Sequence, residues 1–159
     1  MADLLWEGVE DLFDGETAGP LPDLRVPGAT ADGWQALLEL VVERGWRHRY
    51  AEDGSAAPLP SARTALARRT AARWPELRVW PAEGLLAVFR FESEEDVDFD
   101  IDVREIRGQE SLDALCGFLG AIGRRLRRPV LMAPEGGGAA PVLRFDPAAD
   151  RVVRTDGRS

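Results

Sequence analysis

The chain has 159 residues, 45% of them apolar, which suits one domain with a real core and argues against disorder. Its net charge of −8 comes from 28 acidic residues against 20 arginines, and neither lysine nor asparagine occurs. Without lysine the chain has no Walker A phosphate loop and no amine for Schiff-base or pyridoxal chemistry; without asparagine it has no N-glycosylation site; its acidity argues against general nucleic-acid binding.

Residues 3–13 place Leu5, Trp6, Val9, Leu12 and Phe13 on one helical stripe, with Glu7, Glu10 and Asp11 elsewhere. Residues 1–14 are therefore expected to form an amphipathic helix, docked on its own domain or on a second copy in a homodimer. The same stretch lacks a basic n-region and an apolar h-region, so it does not read as a secretory signal. Residues 15–28, GETAGPLPDLRVPG, carry three prolines and three glycines and read as a connector along the surface. The main body is expected over residues 30–155, with the whole chain, 1–159, as one domain.

That body opens on a helix with Trp34, Leu37, Leu38, Val41 and Val42 as apolar positions, capped by Thr30 or Asp32 and stopped by Gly45. WRHRY, residues 46–50, alternates aromatic and basic residues as a strand does, and EDGSAAPLP is a loop. Ser61 is a good N-cap for an Ala/Arg-rich helix over residues 62–73. Leu77, Val79 and Trp80 begin a strand that PAEG turns back into LLAVFRF, a hairpin. After the polar break SEED, VDFDIDV alternates strictly until Gly108 stops it. Leu112, Leu115, Cys116, Leu119, Ile122 and Leu126 mark the clearest helical face in the chain. Arg124, Arg125, Arg127 and Arg128 sit at its C-terminal end, where positive charge is favourable, and Pro129 ends it. Residues 130–132 form a short strand, PEGGGAAP a flexible loop, and PVLRF with RVVRT a final hairpin. No internal repeat is present.

Charge is laid out in blocks. Residues 1–60 hold 12 acidic residues and 4 arginines, 61–80 hold 1 and 5, 81–110 hold 10 and 3, and 111–159 hold 5 and 8. Codon bias in a GC-rich genome accounts for every cation being Arg but not for where the arginines sit. One cysteine, Cys116, excludes an intramolecular disulfide and fits a reducing cytoplasm. No apolar run approaches a membrane span.

The segment richest in chemistry is EEDVDFDID, residues 94–102. In a strand, Val97, Phe99, Ile101 and Val103 face one side while Asp98, Asp100 and Asp102 face the other, with neighbours ~7 Å apart by strand rise. Three readings stay open. The aspartates form a solvated face opposed by Arg90, Arg78 or Arg144 across the strands. Or Glu94, Glu95, Asp96, Asp98, Asp100 and Asp102 form an acidic surface that meets a basic protein. Or Asp98 and Asp100 bind a divalent metal with help from elsewhere.

The remaining candidates have plain readings. His48, the sole histidine, is too little for structural zinc and has no nucleophile elbow beside it, so it reads as a strand residue near the surface. Cys116, on an apolar helix face, reads as a buried, inert thiol. Arg63, Arg69 and Arg73 form a basic helix side that supports an acidic neighbour. Gly136–Gly138 lack the strand and helix that frame a phosphate loop. No catalytic residue, metal ligand or cofactor is assigned.

From Ile101 onward, IDVREIRGQESLDALCGFLGAIGRRLRRPVLMAPEG orders strand, charged turn, amphipathic helix and strand. Its helix end, GAIGRRLRRPV running into LMAPEG, resembles segments of actinobacterial proteins and of the small immunity proteins of bacterial polymorphic-toxin systems. That resemblance implies a cytoplasmic protein that binds and neutralises a partner toxin, often through an acidic face. It covers about a quarter of the chain and transfers no site residue.

The sequence thus predicts an α+β fold, an antiparallel-dominated sheet packed with three to four helices, in which residues 101–132 contribute one parallel crossover. The expected core includes Leu37, Leu38, Val41, Val79, Leu86, Val88, Phe99, Ile101, Leu115, Leu119, Ile122 and Val142. The expected function is a non-enzymatic, cytoplasmic protein-binding module, with a protein partner such as a toxin, no membrane and no nucleic acid. The alternatives are a metal-dependent enzyme using the strand aspartates and a regulatory or structural module.

Overall fold

The computed structural model describes residues 2–70, 74–136 and 138–157. Among them the chain forms, in order, α1 (Trp6–Val9), β1 (Asp23–Pro27), α2 (Thr30–Glu43), β2 (Arg47–Glu52), β3 (Ser55–Ala56) and α3 (Ala62–Arg68). There follow β4 (Pro75–Ala82), β5 (Leu85–Arg90), β6 (Asp96–Ile101), α4 (Gln109–Leu126), β7 (Val130–Ala133), β8 (Leu143–Asp146) and β9 (Arg151–Arg154). The nine strands make one sheet in the order β3-β2-β4-β5-β6-β1-β7-β8-β9. Every neighbouring pair is antiparallel. The fold is α+β, as the sequence predicts.

Alternation along the central strands sends one set of side chains into the core. Leu24 and Val26 of β1, Leu77 and Val79 of β4, Leu85, Ala87 and Phe89 of β5, and Val97, Phe99 and Ile101 of β6 are all buried. Helix α4 lies over them. Its Phe118 meets Phe89 and Phe99 edge-on, with ring centroids 6.2 and 6.0 Å away, while Phe89 and Phe99 stack at 4.6 Å. Trp34 of α2 stacks on Phe91 at 4.6 Å, and its indole N–H donates to the Ser93 carbonyl at 2.8 Å. Helix α2 packs beside α4 and α3. The side chains between the buried ones point to the other face of the sheet, which no described helix covers.

Helix starts and stops follow the sequence where capping chemistry is explicit. Ser61 accepts from the Thr64 backbone N–H at 3.2 Å, and Gly45 takes φ +67° just after α2. Thr30 Oγ1 accepts from the Gly33 N–H at 3.4 Å, whereas Asp32 pairs with Arg63 instead. Helix α3 ends at Arg68, five residues short of the expected end; of that expected helix, residues 71–73, and so Arg73, lie outside the described residues. Arg69 has turned extended and lies over Trp74, with its guanidinium carbon 5.1 Å from the ring centroid.

Several expectations are corrected. The Pro/Gly-rich segment 15–28 is not all connector, because it holds β1, placed between β6 and β7. The loop after β2 folds back at Asp53–Gly54 to pair as β3. β6 stops at Ile101, and Val103–Glu105 form a 3-10 turn capped by Asp102. In β5 the core takes Leu85, Ala87 and Phe89, and the expected Leu86 and Val88 are only partly buried. LLAVF is apolar at every position, so its own pattern has no phase. The phase comes from register, Leu77 opposite Phe89 and Val79 opposite Ala87. The crossover from β6 through α4 to β7 does join strands of like direction, because each is antiparallel to β1. They are not neighbours, since β1 lies between them.

The N-terminal segment is a single turn, α1, followed by a 3-10 turn over Glu10–Phe13. Val9, Leu12 and Phe13 are buried in its own domain and Trp6 partly so, whereas Leu5, at the start of the stripe, is 65% exposed. Arg154 of β9 holds it there. The guanidinium, with only 6% of the side chain exposed, donates to both Asp11 carboxylate oxygens at 2.8 and 2.9 Å, to the Gly8 carbonyl at 2.7 Å and to Asp156. Asp3 accepts from the Val152 backbone N–H at 2.9 Å, which closes part of the sheet edge. Arg154→Met should lower stability by about 1–3 kcal/mol, since it strands charge-assisted acceptors. Arg154→Lys should recover only part of the loss, because an ammonium cannot reproduce the fork. Urea unfolding of the three proteins measures both.

Gly123 in α4 has no room for a side chain, because a Cβ there would overlap the Phe145 ring of β8. Gly123→Ala should therefore destabilise. The overpacking cost of about 1–3 kcal/mol exceeds the gain of about 1 kcal/mol in helix propensity. A lower urea midpoint at unchanged slope would show it.

Candidate functional site

The uncovered face of the sheet is organised in rows by register. One row runs Arg90, Asp98, Arg25 and Leu131 across β5, β6, β1 and β7; the next runs Val88, Asp100, Asp23 and Ala133. The β7–β8 loop contributes Gly138, Ala139 and Pro141, and a cleft of about 680 Å³ lies between these residues and the two rows. Its floor is charged, and its side along β7 and the loop is apolar.

The arginines sort the aspartates. Arg90 faces Asp98 in register but closes on Asp100, one row away. Arg25 also faces Asp98, yet its nearest carboxylate is Asp96, at 4.0 Å. Asp96 accepts from the Gly28 backbone N–H at 3.1 Å as well. Among the described residues Asp98 itself makes no hydrogen bond or ion pair. It is half-buried, and burial pushes its carboxyl up to about 6, reinforced by Asp96, Glu92 and Asp23 and opposed by Arg25.

Of the six acidic residues singled out in the sequence, Asp98 and Asp100 line the cleft and Asp96 lies beside it. Asp102 is spent locally. It caps the 3-10 turn through the Arg104 N–H at 2.9 Å and binds the Arg104 guanidinium at 2.7 Å, which holds its carboxyl below the usual range. Glu94 and Glu95 are exposed in the segment before β6, away from the cleft, where they border a shallow depression with Asp32 and Arg63. The Glu95 carbonyl anchors the start of α2 by accepting from Ala29 N–H at 2.7 Å.

Of the arginines expected to oppose the ladder, only Arg90 does so. Arg78 pairs with Glu76 at 2.8 Å, and Arg144 lies two strands beyond Arg25, opposite Leu131. Arg63 and Arg68 each support an acidic neighbour, Asp32 at 3.2 Å and Glu52 at 2.8 Å.

Asp23, Arg25 and Glu92, with the apolar wall, are parts of the site that the sequence reading does not single out. Asp23-Leu24-Arg25-Val26 alternates polar and apolar residues as strictly as β6, and that period is the signal that marks it.

His48 is exposed, and its Nδ1 donates to the Trp46 carbonyl of its own chain segment at 2.9 Å. Cys116 is buried, which pushes its thiol up to about 12, beyond thiolate chemistry at neutral pH. Among the described residues no three His, Cys, Asp or Glu side chains gather closely enough to hold a metal ion. No described helix is long and apolar enough to cross a membrane. No family model, curated protein or solved structure matches the chain.

The half-buried Asp98 has a stability consequence. Its carboxyl is raised from 3.8 to about 6 in the folded state, so folding favours the protonated form. The stability this contributes is complete below the unfolded value and is lost as pH rises through about 6. Asp98→Asn should therefore be more stable than wild type at about pH 7.5, with the difference vanishing near pH 4. Urea midpoints measured at both pH values decide it.

Proposed function

We propose that the protein is a non-enzymatic binding module that captures a basic protein partner on the open sheet face around β6. The observation that carries this reading is Asp98, a half-buried carboxylate that the described residues leave without a hydrogen-bond partner, in a row where both flanking cations pair with other carboxylates. A carboxylate held in that state costs free energy in the unbound protein, and a cation brought by a partner recovers it. Glu92 adds negative potential within the cleft, and the exposed Glu94 and Glu95 extend it beyond, where they would steer a basic surface towards it. A toxin neutralised by an immunity protein is the partner class that the sequence resemblance implies, and a cytoplasmic setting fits the single buried thiol. The N-terminal stripe, whose Val9, Leu12 and Phe13 pack into its own domain, is left out of the proposed interface.

The test is capture from the native cell. Tagged wild type should bring down a basic partner whose recovery falls with salt, as an interface led by exposed charge requires. Asp98→Arg should remove that partner while circular dichroism and the thermal midpoint stay native-like. Glu94→Arg with Glu95→Arg should slow association and leave dissociation little changed. Undiminished recovery by Asp98→Arg sinks the reading.

A further inference from the structure

We propose that the cleft between β6, β1 and the β7–β8 loop is a receptor for a single aliphatic cation, an ammonium or guanidinium head on a hydrocarbon stem, with Asp98 as its acceptor. This rests on the reading of the open face as a binding surface and names the chemistry of the group that enters it.

The floor selects the sign of the charge. Among the described lining residues, Asp23, Glu92, Asp98 and Asp100 meet Arg25 and Arg90, and Arg90 is committed to Asp100. An anion meets an excess of negative charge there. A cation meets Asp98, whose two oxygens are free to accept from a guanidinium fork or an ammonium.

The wall selects the rest of the ligand. Leu131 and Ala133 continue the two charged rows on β7, and Ala139 and Pro141 face them from the loop. An apolar wall next to a single carboxylate suits a chain of methylenes lying along the wall with its charged head at the floor. The volume of about 680 Å³ is that of a small-molecule cleft and far larger than a metal ion needs.

Two sources supply such a group: the side chain of an arginine or lysine on a partner protein, or a free alkylamine. Ionisation of Asp98 should gate binding of either. The charged groups that face Asp98 are Arg90 at the end of β5, Glu92 just beyond it, Asp96 and Asp100 on its own strand, and Arg25 and Asp23 on β1. β7 and the lining loop residues add none.

The experiment is an amide-resolved NMR titration of the full chain with n-butylguanidinium and n-butylammonium, with butyrate as the control. A second arm uses a capped, glycine-flanked peptide carrying one arginine. Saturable shifts at residues 98–100, 131–133 and 138–139 are expected with both cations and none with butyrate. Asp98→Asn, with an unchanged amide spectrum elsewhere, should weaken binding by about tenfold or more. Lowering the pH from about 7.5 to about 5 should weaken it about tenfold, following a carboxyl near 6. A peptide that binds more tightly than the bare head group assigns the site to a protein side chain; equal affinity assigns it to a free amine. Absence of saturable shifts at about 50 mM cation, or equal affinity in Asp98→Asn, overturns the proposal. If native partner capture still depended on Asp98 in that case, the open face would remain the interface and only the inserted cation would be lost.

Discussion

Strands β6 and β7 run in the same direction two strand spacings apart, about 9–10 Å, and β1 fills the gap between them. Within the sheet, the β7 side is joined to the β6 side through the backbone pairing of β1, Asp23–Pro27, while helix α4 packs on strands of both sides. Leu24 and Val26 send that strand into the core, where each is almost wholly buried and each contributes about 1.5–3 kcal/mol of apolar burial. Its polar residues face the other way. Asp23 lies beside Asp100 and Arg25 beside Asp98, so the strand that joins the sheet also supplies two of the charged residues on the floor of the cleft. Pro27, which cannot donate to the ladder, stands at its last position, where a proline is tolerated.

Once β1 is in place, the electrostatics of the open face follow from how far each arginine reaches. Arg90 and Arg25 flank Asp98 by register but engage the carboxylates on either side of it, so three consecutive aspartates on one strand face have three different surroundings. Exposed ion pairs of this kind contribute about 0–1 kcal/mol each to stability, so their main effect is to shape the local potential. Arg154 belongs to a different regime. Nearly excluded from water and bound to two carboxylates and a carbonyl, it fastens the N-terminal segment to the far end of the sheet.

Much of this was legible in the residue order. Helices α2 and α4 and the alternation of β6 are strong periodic signals, the β4–β5 and β8–β9 hairpins are marked by their turns, and all of these elements form. The less legible parts have physical causes. β1 is five residues long among prolines and glycines, and composition hides its alternation. β5 is apolar on both faces, so only pairing with β4 sets its phase. Helix α3 stops early although arginine and alanine favour helix, because Arg69 turns extended and stacks on Trp74. In the candidate site, Asp98 and Asp100 are readable as one face of a strand. Asp102, Glu94 and Glu95 leave that face because the strand itself ends at Asp96 and Ile101.

The sequence alone determined the class of fold, the acidic face of β6 and the inert setting of Cys116, because these depend on local periods and on the burial of one helix face. Tertiary structure decided which strand aspartate makes no ion pair among the described residues. That depends on register across β5, β6 and β1, and strand register is a property of pairings between segments tens of residues apart. The tertiary structure also turned a surface connector into the strand that unites the sheet, because the free energy that places β1 there comes from neighbours it meets only in the folded chain.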